Sequence, residues 1–216
     1  SATFEYDNSW LAHAERFSLE PALKLGLGPF HAPSGKPLFG AIGDSAPDRW
    51  GRALMRRAER RRAEREKQTP RTVHEIDYLL LVDDEARQGA LRFAEKDGGP
   101  FLASQEAMKI PPLIELPRLL SAAERVVAEK DSDQDLRLLL APGSSLGGAR
   151  PKAHVRDRDG RVAIAKFPSP SKDEWDVMAW ESVALRLAAG AGIEVPRSSL
   201  HRIEGRSVLI VDRFDR

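Results

Sequence analysis

Three features of the chain could act together on an anion. Residues 143–152 read GSSLGGARPK, a small-residue stretch with Gly147, Gly148 and Ala149 and a lysine at Lys152. Lys166 follows inside the apolar run VAIAKF, and Glu181 lies beyond it. Glycines let backbone N–H groups approach phosphate oxygens, and a fixed ammonium offsets the phosphate charge. A carboxylate partner holds that ammonium in one rotamer and keeps it protonated. Each feature also has a plain structural explanation. A surface hairpin accounts for the glycines, a lysine can snorkel out of an apolar strand, and a helical glutamate is solvated by default. The loop matches neither G-x-G-x-x-G nor G-x-x-x-x-G-K-[ST], since Lys152 is followed by Ala153.

The elements that would position these residues follow from local pattern. Leu138–Leu140 is expected as a short strand, 142–149 as the loop and Ala153–Val155 as a second strand. Asp159-Gly160 signals a tight turn, because glycine tolerates the positive φ that such turns demand. Val162–Phe167 is then a third strand with Lys166 near its end, stopped by Pro168 and Pro170. Ser171 and Glu174 form an S-x-x-E capping box for a helix ending at Gly190 and Gly192. Val177, Trp180, Ala184 and Leu187 share one face of that helix, with Glu181 at the edge of the stripe. Two more strands flank Glu204-Gly205, the second being Ser207–Val211. Strand, glycine-rich loop, strand, turn, lysine-bearing strand and glutamate-bearing helix is the element order of a protein-kinase-like N-lobe.

Upstream, residues 1–45 are expected as short strands and turns. DSAPDRWGRALMRRAERRRAEREKQ reads as a helix capped by Asp44 or Ser45, with Pro47 in its first turn and Trp50, Leu54 and Ala58 as its apolar stripe. Between Arg56 and Lys67 it holds seven Arg/Lys against three Glu, either a phosphate-binding patch or a solvated face laced with pairs such as Arg60–Glu64. Ile76–Val82 is an apolar stretch, a strand is expected around Gly89–Phe93, and the Gly- and Pro-bearing segment after it is the expected domain boundary. A further helix carries Leu116, Leu120, Ala123 and Val127 on one face. With 41% hydrophobic and 31% charged residues, the 216-residue chain has a globular composition. It has no cysteine, and its five histidines form no HxH or HxxxH pair, so thiolate and histidine metal sites are not expected. A net charge of +1 gives no global attraction to nucleic acid or membrane, and no secretory signal is visible. A cytoplasmic setting and no membrane association are expected.

GSSLGGARPKAHV, AKFP, WESVALRLAAGAGIEVP and DRFDR together resemble the HipA family of bacterial serine/threonine kinases, the toxins of two-gene toxin–antitoxin modules. FEYDNSWL, PDRWGR and GALRF resemble that family's N-terminal subdomain. The resemblance implies an α+β chain with a small N-terminal subdomain over 1–95, clipped at its start. A linker and helix over 96–136 and a kinase-like N-lobe over 137–216, ending at the hinge, would follow. It implies that Lys166 meets the ATP phosphates, that Glu181 positions Lys166, and that the loop Gly147–Lys152, with Gly148 and Ala149, faces the phosphates. Ser145, or its neighbour Ser144, matches an autophosphorylated loop serine, and Asp212 and Phe214 match hinge residues whose backbone holds adenine. ATP and Mg²⁺ are the implied cofactors. A HipB-like helix-turn-helix antitoxin, operator DNA through the antitoxin complex, and glutamyl-tRNA synthetase as a candidate substrate are the implied partners. The family's catalytic aspartate and metal ligands have no counterpart up to Arg216, and no H-x-D-x-x-x-x-N string occurs. The chain is therefore expected to be an inactive N-terminal piece of a longer kinase. A catalytically degenerate binding module and a kinase for a non-protein acceptor are the alternatives.

Overall fold

A computed structural model of the chain describes residues 2–102, 110–143, 145–169 and 173–215. The elements run β1 (Thr3–Phe4), α1 (Asn8–Ala12), β2 (Phe30–His31), α2 (Gly40–Gly43), α3 (Arg49–Glu66) and α4 (Glu75–Leu80). After a 3₁₀ turn at Leu113–Glu115 come α5 (Leu116–Val127), α6 (Asp133–Gly143), β3 (Lys152–Arg156) and β4 (Val162–Lys166). The chain closes with α7 (Val177–Gly190), β5 (Ser198–Ile203) and β6 (Arg206–Asp212). The fold is α+β, with β1 and β2 paired antiparallel and a four-stranded antiparallel sheet in the order β3-β4-β6-β5.

The main core lies on one face of that sheet. Ala153, Val155, Ala163, Ala165, Val208 and Ile210 alternate inward along their strands and meet Leu119, Leu120 and Ala123 of α5 and Leu136 and Leu139 of α6. Trp50 and Leu54 of α3 join the same cluster. The opposite face carries Lys152, His154, Ile164, Lys166, Leu209 and Val211, which the register places side by side. There α7 covers Leu209 and Val211 with Met178, Val177 and Leu185. A separate small cluster built on Tyr6, Leu23 and Phe39 holds the first forty residues together. Among the described residues no helix is long and apolar enough to cross a membrane.

Several elements differ from expectation, each for a local reason. Leu138–Leu140 is helical, not a strand. A short apolar run is ambiguous between the two, and a reciprocal cap settles it. Ser132 Oγ and Asp135 Oδ2 are 2.8 Å apart, the Asp135 amide donates to Ser132 Oγ, and the Ser132 amide returns a bond to Asp135 Oδ2 at 2.9 Å. The N-cap of α3 is Asp48, so Pro47 precedes the helix and neither Asp44 nor Ser45 caps it. Its buried stripe continues through Met55, Glu59 and Ala63, with Ala58 only half-buried. On α5, Val126 is buried more deeply than Val127.

The segment 89–93 forms no strand, and the apolar stretch from Ile76 enters the short helix α4. Helix α7 is capped by Asp176, whose carboxylate accepts from the Ala179 amide at 3.0 Å. Ser171 lies outside the described residues. Asp176 also accepts from Ser207 Oγ at 2.5 Å, which sets the helix's rotation on the sheet. As a result Trp180 and Leu187 face outward, 64% and 69% exposed, and do not form the core face their spacing suggested. The helix ends as its glycines indicated. Gly192 takes a φ of 80°, its amide bonds Ala189 O, and the Ile193 amide bonds Ala188 O.

Candidate functional site

The glycine-rich loop lies between α6 and β3, and the start of α3 holds it in place. The Gly148 amide donates to Asp48 Oδ2 at 2.9 Å, and its carbonyl accepts from the Trp50 amide at 3.0 Å. Trp50 Nε1 donates to the Lys152 carbonyl at 2.8 Å, where the loop enters β3. Gly148 has a φ of 81°, and a Cβ there would sit 2.7 Å from Lys152 Nζ. Glycine takes this φ without strain and leaves the Lys152 ammonium its place.

Across the sheet, Lys152 and Lys166 are direct partners in the β3–β4 register, so both side chains rise from the same face. Lys152 Nζ donates to the Gly147 carbonyl, and Lys166 Nζ donates to Glu181 Oε1 on α7. Burial, and then the neighbouring Lys166 charge, push the Lys152 ammonium below its usual pKa, with Glu181 and Asp48 opposing. Two ammonium groups placed opposite each other under a glycine loop favour an anion between them.

Residues 144–216 match the HipA-like C-terminal domain family. This relates roughly a third of the chain, from the loop to its last residue, to the HipA family. No curated protein matches the chain.

Within the HipA-like segment the expected site residues fall into two groups. Gly147, Gly148, Lys152, Lys166 and Glu181 are brought together, and Ala149 is exposed beside them in the loop. Asp212 ends β6 and Phe214 follows it. Lys166 pairs with Leu209, three residues before Asp212, which separates the two groups by about 10 Å along the sheet. The Asp212 amide bonds Arg197 O, and Phe214 is 95% exposed. Ser145 is buried, its hydroxyl donating to Ala86 O at 2.8 Å. Ser144 lies outside the described residues. No group of three or more His, Cys, Asp or Glu able to hold a metal ion occurs among the described residues.

One part of the HipA-like segment escaped the sequence. His154 is fully buried, with Nδ1 at 3.5 Å from Ser145 Oγ and Nε2 accepting from Arg213 Nη1 at 3.1 Å. Arg213 also donates to Ala86 O, Arg87 O and both oxygens of Asp215. A lone histidine and an arginine in a charged tail give no periodic signal, and their partners are backbone carbonyls from a distant turn. Four of the six arginines in the expected phosphate patch of α3 are engaged with acids. Arg57 pairs with Asp131, Arg65 with Asp133, Arg62 with Glu59 and Glu66, and Glu64 meets Arg61 in place of Arg60.

Proposed function

We propose that residues 144–216 form the ATP-binding part of a HipA-like serine/threonine kinase. The opposed Lys152–Lys166 pair beneath a glycine loop carries this reading. Like charges directly across a strand pair are unfavourable, and a polyphosphate between them would convert the cost into binding. In this reading Lys152 and Lys166 hold the phosphates, Glu181 holds Lys166, and the backbone of Asp212 and Phe214 meets adenine. ATP would supply the γ-phosphoryl group. The described residues offer no carboxylate cluster that fits Mg²⁺.

The acceptor in this proposal is a protein Ser/Thr, with glutamyl-tRNA synthetase a candidate, and a HipB-like DNA-binding antitoxin would restrain the kinase. Ser145 would have to leave its bond to Ala86 before any phosphate could reach it. The test is calorimetric titration of the chain with ATP and with tripolyphosphate. Lys152→Met and Lys166→Met should each weaken both ligands by about 10-fold or more, the scale of one lost charge-assisted contact. Equal affinity in the wild type and both variants would refute the site.

A second reading is favoured by the outward face of α7, where Trp180 and Leu187, two helical turns apart, stand 64% and 69% exposed. Large apolar side chains left exposed on one helix face suit a partner-holding module. A melting temperature that ATP does not raise would favour it over the kinase.

A further inference from the structure

We infer that Arg213 is a positioning residue that fixes the glycine-rich loop relative to the segment Asp212–Phe214, with His154 and the Ala86 carbonyl as the junction between them. Its side chain is 1% exposed, and all five guanidinium N–H groups are used. Nε and Nη2 grip Asp215 bidentately at 2.9 and 2.6 Å, Nη2 also reaches Arg87 O at 3.0 Å, and Nη1 divides between Ala86 O at 3.2 Å and His154 Nε2 at 3.1 Å. Asp215 in turn accepts the Gly89 amide at 2.9 Å, closing the cluster from below. A strand end that needed only packing would be served by an aliphatic residue. A buried guanidinium is costly to desolvate, and here each donor is matched to a fixed acceptor.

The loop meets the same two groups. Ser145 Oγ donates to Ala86 O, the carbonyl that Arg213 also holds, and lies against His154 Nδ1. A guanidinium can only donate, so His154 Nε2 is an acceptor and the imidazole proton sits on Nδ1, aimed at Ser145. One arginine thus sets the spacing between the loop and the chain segment after β6. On the proposal that these two regions meet phosphates and adenine, on which this inference rests, Arg213 sets the length of the nucleotide site.

Amide hydrogen exchange on the whole 216-residue chain without nucleotide tests the coupling. Arg213→Lys keeps the charge and removes the fork. It should speed exchange at Gly147–Ala149 at least about 10-fold, a coupling of about 1.4 kcal/mol, while Val208–Val211 in β6 keep their rates. Asp215→Asn, which leaves the arginine in place, should speed the same loop amides about threefold and is read alone if the lysine variant fails to fold. Unchanged loop rates, or equal acceleration of loop and β6, would overturn the inference. Imidazole ¹⁵N shifts should place the His154 proton on Nδ1, and a proton on Nε2 would also overturn it. Adding ATP to the wild type separates the two proposals. If no loop amide slows, the nucleotide site is refuted, while the exchange rates of the variants still decide the coupling.

Discussion

Glu181→Gln should destabilise the free protein while leaving simple polyphosphate binding intact or stronger. The side chains of Lys166 and Glu181 are 30% and 34% exposed, so solvent screening limits their attraction to at most about 1 kcal/mol. Neutralising Glu181 also leaves Lys166 facing Lys152 across the strand pair with no counter-charge, a penalty of roughly 0.2–1 kcal/mol. The combined loss is at most about 2 kcal/mol, which for a chain of this length lowers Tm by up to about 8 °C. An anion arriving between the lysines no longer meets the glutamate's repulsion, so tripolyphosphate should bind as well as before or a few-fold more tightly. Thermal melts with and without tripolyphosphate measure both effects, and the ligand-induced rise in Tm should be at least as large in the variant. A variant with unchanged stability would show that the ion pair does not restrain Lys166. Weakened tripolyphosphate binding would show that the lysines do not form an anion site.

Gly148→Ala forces a left-handed φ on a side-chain-bearing residue and pushes Lys152 Nζ aside. It should cost about 1–2 kcal/mol in denaturant titrations and weaken tripolyphosphate binding. Leu139→Ala, fully buried in α6, should cost about 2–5 kcal/mol by the same measurement. Trp180→Ser on the outward face of α7 should change stability by less than about 0.5 kcal/mol. Acid should unfold the chain through its buried-side carboxylates. Glu59 is lowered from 4.5 to about 2, chiefly by its bond from Arg62, and Arg125 and Arg213 hold Asp135 and Asp215 well below their usual range. Because these folded values lie below the unfolded ones, the stability they add is complete above about pH 4.5 and is lost as pH falls toward 2. Tm measured across that window should fall less steeply in Glu59→Gln than in the wild type.

The parts of the fold legible in the sequence were those with strong local causes. Asp159-Gly160 and Glu204-Gly205 marked their turns through positive φ, at 82° for Gly160 and 80° for Gly205. Short apolar runs bounded by the Asp159-Gly160 turn and by Pro168 marked β3 and β4, and amphipathic spacing marked α3 and α5. Meeting of Lys166 and Glu181 was legible from element order. What failed depended on competition between signals. The apolar run at 138–140 suits either a strand or a helix, and the Ser132–Asp135 box that decided it carries aspartate where glutamate is the commoner signature. On α7, hydrophobic spacing was overridden by two polar contacts, Asp176 to Ser207 and Glu181 to Lys166, that turn Trp180 outward. The Arg213 cluster was invisible because side chain-to-backbone bonds across more than a hundred residues leave no mark in composition or period.

Clasping of the loop by Asp48 and Trp50 means that the stretch shared with the HipA family is not a physical unit. Its glycine loop is bonded to the first turn of α3, its sheet is packed on Trp50 and Leu54, and its buried arginine ends on the carbonyls of Ala86 and Arg87. Grafted alone onto another scaffold, residues 144–216 would carry the recognisable residues without the partners that hold them in register. Residues far upstream would therefore tune the loop without altering any residue of the shared stretch.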